Sequence, residues 1–185
     1  MFHGTPSGPG NVTDELHIAQ LLDTEIAAGR IPPVIAALPT TYEHQSSECV
    51  DAVRGERDET FLAVDVPADV EARFPVVPGR SFAAFGYSTG GFCAVNLALH
   101  PPDRYAAAAS LSGYFTAGTA PGTSRLHPGN RTALLRNSPL WWVSHRPATA
   151  PPLYLFASIG DHTRPNRVRQ EAGHAAAIRS RARDC

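Results

Sequence analysis

The hexapeptide Gly86-Tyr87-Ser88-Thr89-Gly90-Gly91 has the residue types and spacing to do chemistry. It fits G-x-S-x-G, a serine carried on a sharp turn between a strand and a helix. Such a turn exposes the Ser88 hydroxyl above a helix N-terminus. The residues two before and two after come too close for side chains, which accounts for Gly86 and Gly90. The amide of Thr89 then faces the place where an oxyanion would form, helped by the positive end of the helix dipole. The chemistry would be nucleophilic attack on an acyl carbonyl. The competing reading is a glycine-rich turn with an incidental serine. The flanks argue against it: Ser81–Phe85 is a short apolar run typical of a buried strand, and Thr89 to His100 reads as a helix.

A second element stands at the start, His3-Gly4-Thr5-Pro6-Ser7-Gly8. In hydrolases with this elbow, a His-Gly loop provides the other oxyanion amide, here that of Thr5. A plain turn is the alternative.

These residues need a scaffold, and the periodicity predicts one. Residues 1–12 read as a Gly/Pro-rich loop. Leu16, Ile18, Leu21, Leu22 and Ile26 recur at helical spacing from Asp14 to about Ala28, with Gly29 placed to stop the helix. Pro33–Pro39 is a short apolar run and reads as a buried strand. A polar stretch from Thr40 to Asp58 precedes a helix from Glu59 to Phe74. Tyr105 to Leu111 is a strand, 113–130 a loop and 131–146 a partly helical stretch. Leu153 to Ala157 is the last strand, and Asn166 to about Arg183 the last helix. Alternating strands and helices predict an α/β fold, a mostly parallel sheet with helices on both faces, in one domain over 1–185.

Composition limits the function classes. The 185 residues carry 16 basic and 17 acidic side chains, a net charge of −1, so no electrostatic footprint points to nucleic acid. Every basic residue is Arg, which fits coding bias better than phosphate binding. Cys49, Cys93 and Cys185 are too few and scattered for a metal knuckle or disulfide framework; at most one bridge could form, and free thiols are the expectation. No run approaches a membrane span and the N-terminus lacks signal-peptide character, so no membrane segment, cofactor or metal is expected, and localisation is unassigned.

Several segments together resemble a known family: Ile31-Pro32-Pro33-Val34-Ile35, Glu48-Cys49-Val50-Asp51, Glu59-Thr60-Phe61-Leu62, the elbow hexapeptide, His100-Pro101-Pro102-Asp103-Arg104-Tyr105 and Ser110-Leu111-Ser112-Gly113. They are similar to the esterase D and mycolyltransferase group over most of residues 3–160. The resemblance implies an α/β-hydrolase fold and a Ser–acid–His triad acting on a small-molecule ester or acyl donor. By position, Ser88 matches the nucleophile and Thr5 and Thr89 the oxyanion pair. Members of that group are often exported or membrane-anchored.

The acid of that fold follows its next-to-last strand. Leu153–Ala157 supplies such a strand and Asp161 lies just beyond it, 73 residues after Ser88; Glu171 is the alternative. The histidine should follow one more strand. Only 24 residues come after Asp161, and they read as one helix. His162 adjoins the acid and His174 sits mid-helix, while His100 and His145 precede the acid. The base is therefore unassigned. The His-Gly loop normally follows a central strand, yet it begins here at residue 3. Without that strand, 33–38 and 81–85 would expose unpaired backbone groups. The chain thus reads as an incomplete α/β-hydrolase domain, its first strands and C-terminal His segment missing.

Two functions remain: a serine esterase or acyltransferase, or a non-catalytic remnant that binds a ligand in the same cleft. A peptidase is a third option, without the added domain it would require. Trp141, Trp142, Leu134 and Leu140 could line an apolar acyl pocket, but tryptophans at such spacing are more often plain core, and core packing is the expectation.

Overall fold

The computed structural model describes residues 1–41, 45–53, 55–77, 82–100, 104–120, 122–146 and 150–157. Its centre is a parallel sheet of β1 (Phe82–Tyr87), β2 (Tyr105–Leu111) and β3 (Leu153–Phe156), in that spatial order. Gly86 lies opposite Ser110, and Leu111 opposite Phe156. All three strands therefore end at one edge, where Ser88, Ser112 and Ala157 follow them.

Helices surround the sheet. In chain order they are α1 (Pro9–Asp14), α2 (Ile18–Ala27), α3 (Asp58–Thr60), α4 (Val66–Arg73), α5 (Thr89–Leu99), α6 (Arg131–Arg136) and α7 (Pro139–His145). Helix α5 forms the crossover between β1 and β2. Thr89 to Ala98 are all buried, which explains why this helix is apolar on every side. Its close approach to the sheet is allowed by the small residues of β2. The Ser110 hydroxyl sits between Gly91 and Gly113, where a Cβ on either glycine would collide with it. Phe92, Leu97 and Val95 join Leu62 and Ala84 in the core.

The expected helix from Glu59 to Phe74 is present, with a local change of pitch. A π turn over Phe61–Asp65 separates α3 from α4, and the Val66 amide donates to the Phe61 carbonyl. In that register the Leu62 carbonyl would bond the amide of residue 67, which is Pro67 and has none. The buried Tyr105 hydroxyl donates to the Leu62 carbonyl instead, at 2.5 Å. A proline inside the helix is thereby accommodated, and the helix is tied to the start of β2.

Four expectations are corrected. The stretch expected as a loop over 1–12 runs into a short helix, α1, and the helix expected from Asp14 begins only at Ile18, after His17 takes φ 47°, although Gly29 does end it with φ 68°. The segment Pro33–Pro39 is not a buried strand: it has no strand ladder, and Val34 and Ile35 are 46% and 48% exposed. Pro33 and Pro39 have no amide to donate at the two ends of the run, which disfavours a central place in a sheet. The gap expected between that segment and β1 is bridged at one point. The Phe2 amide donates to the Phe85 carbonyl at 2.7 Å, the Tyr87 amide to Phe2 at 3.3 Å, and the Met1 amino group to Ala37 at 2.7 Å. Finally, Cys49 and Cys93 are not free thiols but a buried disulfide, Cα–Cα 5.5 Å. The expected helix Asn166–Arg183 lies outside the described residues, as does Cys185.

Candidate active site

Ser88 sits between the end of β1 and the first residue of α5, with φ 56° and ψ −119°. Few non-glycine residues hold these angles, and the surrounding structure must enforce them at roughly 1–3 kcal/mol. Two backbone hydrogen bonds do so: the Ser88 amide donates to Leu111 at 2.8 Å, and the Phe92 amide donates to the Ser88 carbonyl at 3.1 Å. The first amides of α5 have no carbonyl within the helix to bond, so its positive end opens at Ser88.

Close backbone packing surrounds the turn. A Cβ on Gly86 would overlap the Gly90 carbonyl, and one on Gly90 would overlap the carbonyls of Phe2 and His3. Gly4 lies directly against the elbow, its Cβ position 3.3 Å from the Ser88 Cβ. The half-buried Thr5 follows it. His3 fixes this approach. Its Nε2 accepts the Thr41 amide at 3.2 Å, so the proton belongs on Nδ1, which donates to the Gly4 carbonyl at 2.8 Å. Thr89 is buried at the other side of Ser88.

The histidines expected as alternatives are placed elsewhere. His100 follows the last residue of α5, roughly 16 Å along an eleven-residue helix from the elbow. Its ring lies between the Glu59 carboxyl at 3.2 Å and the Arg136 carbonyl at 3.1 Å. His145 stacks on Trp141 with ring centres 4.3 Å apart. Trp142 packs 4.9 Å from His100 and under Arg146, so the tryptophans gather at the far end of α5 and not at Ser88. Trp141 and Trp142 therefore line no acyl pocket at Ser88 and pack on each other, Trp142 also on His100. Leu134 and Leu140 pack on the core, Leu134 against Gly118. Asp161, Glu171, His162 and His174 lie outside the described residues.

Sequence reasoning passed over Glu48, which is fully buried. Its carboxyl accepts the Gly118 amide at 2.9 and 3.1 Å and the Tyr114 hydroxyl at 3.2 Å. Burial pushes its pKa up to about 7, against the pull of these donors and of Thr123. Only the positive φ of Glu48 and Cys49 marks this turn, and neither is visible in the sequence.

The family model named Esterase, described as Putative esterase, matches residues 2–177. The chain belongs to the Esterase family. No curated protein matches it. Among solved structures, a ferulic acid esterase superposes with a TM-score of 0.67 at 16% identity, covering 96% of this chain and 81% of that one. MPT51 of Mycobacterium tuberculosis gives 0.63 at 19% identity, with 96% and 72% covered. An S-formylglutathione hydrolase from Agrobacterium tumefaciens gives 0.62 at 14% identity, with 98% and 80% covered. At these identities the likeness establishes the α/β-hydrolase fold. Together with the Esterase match it supports an esterase or acyltransferase of that type.

Proposed function

We propose that this member of the Esterase family is a serine esterase or acyltransferase acting on a small-molecule ester or acyl donor. The observation that carries the reading is the conformation of Ser88, φ 56° and ψ −119° at the mouth of α5, with the Gly4 backbone against it. In this reading the Ser88 Oγ attacks the acyl carbonyl carbon, and its proton passes to a histidine base. The amides of Thr5 and Thr89 receive the oxyanion. The leaving alcohol takes the proton as its bond to the acyl carbon breaks, and water or an acceptor alcohol then releases the acyl group from Ser88. Asp161, which follows in sequence the strand ending at this sheet edge, orients the histidine.

A second reading, a non-catalytic binding protein, is favoured by one observation: His3, His100 and His145 are each engaged away from the Ser88 hydroxyl. One assay separates the two. Turnover of p-nitrophenyl acetate and butyrate is measured for the 185-residue chain, for Ser88→Ala and for the chain extended along its reading frame. A serine without its base retains only about 10³–10⁴-fold catalysis over water, so the 185-residue chain should be slow and Ser88→Ala should change little. Faster turnover in the extended chain, abolished by Ser88→Ala, is the result expected of the esterase. Brisk, Ser88-dependent turnover by the 185 residues alone would place the base among them, His162 and His174 first. No turnover in either folded chain favours the binding reading.

A further inference from the structure

Glu48 is a buried acid for which the esterase chemistry has no use, and its partners lead to the elbow. It belongs to the turn at 46–50, which the Cys49–Cys93 disulfide clamps to α5. The Tyr114 ring stacks on Phe92 in the first turns of α5, centres 4.7 Å apart. The Tyr114 hydroxyl meets three side chains: the Glu48 carboxyl, the Ser46 hydroxyl and the Thr89 hydroxyl. Ser46 closes the circuit, its Oγ accepting the Glu48 amide at 3.2 Å. Ser46, Glu48 and Thr89 are all buried, so water does not compete for these bonds.

We propose that Glu48 is a positioning residue for the elbow, setting through Tyr114 the direction of the hydrogen bond at Thr89, the residue after Ser88. The inference rests on the reading of Ser88 as nucleophile and Thr89 as oxyanion donor. An ionised Glu48 has only acceptor sites, so the Tyr114 hydroxyl must donate to it and its oxygen accepts from Thr89 and Ser46. A protonated Glu48 can donate to the Tyr114 oxygen. The Tyr114 proton can then turn toward Thr89 or Ser46, and where it turns toward Thr89 the polarity at the first residue of α5 reverses. Burial brings the Glu48 carboxyl to about 7, so both states are populated near neutrality.

Few charges interfere among the described residues. Tyr114, from the loop after β2, is the titratable group touching Glu48. The 3-10 turn Thr123–Arg125 brings the Arg125 guanidinium to the Ser46 carbonyl at 3.4 Å. Helix α5 carries no charged residue.

The test uses the chain extended along its reading frame, as in the turnover assay, labelled with ¹⁵N, as wild type, Glu48→Gln and Tyr114→Phe. The Thr89 amide resonance is followed from about pH 5 to about pH 9, and the rate of covalent labelling by a fluorophosphonate is measured over the same range. The expected result is a Thr89 shift that titrates near neutrality in the wild type and is flat in both variants. The labelling rate should lose its matching pH step, about tenfold in size, as befits a misaligned oxyanion donor. A Thr89 resonance that titrates alike in all three proteins, or in none, overturns the proposal. Should Glu48→Gln fail to fold, Tyr114→Phe keeps the ring on Phe92 and carries the comparison alone. If no protein labels at any pH, the nucleophile reading falls, while the Thr89 resonance still decides the role of Glu48.

Discussion

Gly90 and Phe2 touch backbone to backbone: a methyl group on Gly90 would occupy the space of the Phe2 carbonyl. That carbonyl also accepts the Tyr87 amide, so residue 2 is held beside β1 and against the first turn of α5 at once. Gly90→Ala should therefore push the 2–4 segment off the elbow. Overpacking a backbone contact, which no rotamer can relieve, should destabilise by about 3 kcal/mol or more, and Gly86→Ala should behave the same way. Chemical denaturation measures this. A change within 0.5 kcal/mol, about that of an ordinary surface substitution, would contradict the packing.

Ser88 stores backbone strain that glycine would not. Ser88→Gly should raise stability by about 1 kcal/mol relative to Ser88→Ala, because φ 56° with ψ −119° is open to glycine and strained for alanine. Thermal unfolding of the two variants gives the comparison. Equal melting temperatures would mean that the turn relaxes without its serine.

The disulfide closes a loop of 44 residues between the Glu48 turn and α5. Replacing both cysteines by serine should lower stability by about 2–5 kcal/mol. Denaturation of the wild type with and without reductant should show a loss of the same size. Loss of the bridge, by either route, should also loosen Glu48, which neighbours Cys49.

Glu48 makes stability depend on pH in an unusual direction. Its folded pKa, near 7, lies above its ordinary 4.5. Its contribution is thus fully present below about pH 4.5 and is lost as pH rises to about 7, where folding must bury a charge. The stability of wild type relative to Glu48→Gln should fall by about 2–3 kcal/mol between pH 5 and pH 8. Urea unfolding of both proteins at the two pH values tests it. A pH-independent difference would refute the buried-acid reading.

The sequence alone determined the elbow and its two flanking elements. Gly86 and Gly90 around Ser88 are a local steric requirement, and local requirements are written in consecutive residues. The strand over Tyr105–Leu111 and the helix from Thr89 were legible for the same reason, since apolar runs and their spacing are properties of short windows. Tertiary structure decided what depends on distant partners. Cys49 finds Cys93 across 44 positions, and Glu48 finds Tyr114 and Gly118 across 66 and 70. Pro33–Pro39 has the composition of a strand, but its prolines and its neighbours leave it without a ladder and exposed. Trp141 and Trp142 have the composition of a pocket, but the direction in which α7 packs takes them to the His100 end of α5. Residue type and spacing fix what a segment can do locally; which far segment meets it is settled only when the chain closes on itself, because a buried carboxyl or thiol gains its partner, and its altered chemistry, from the packing.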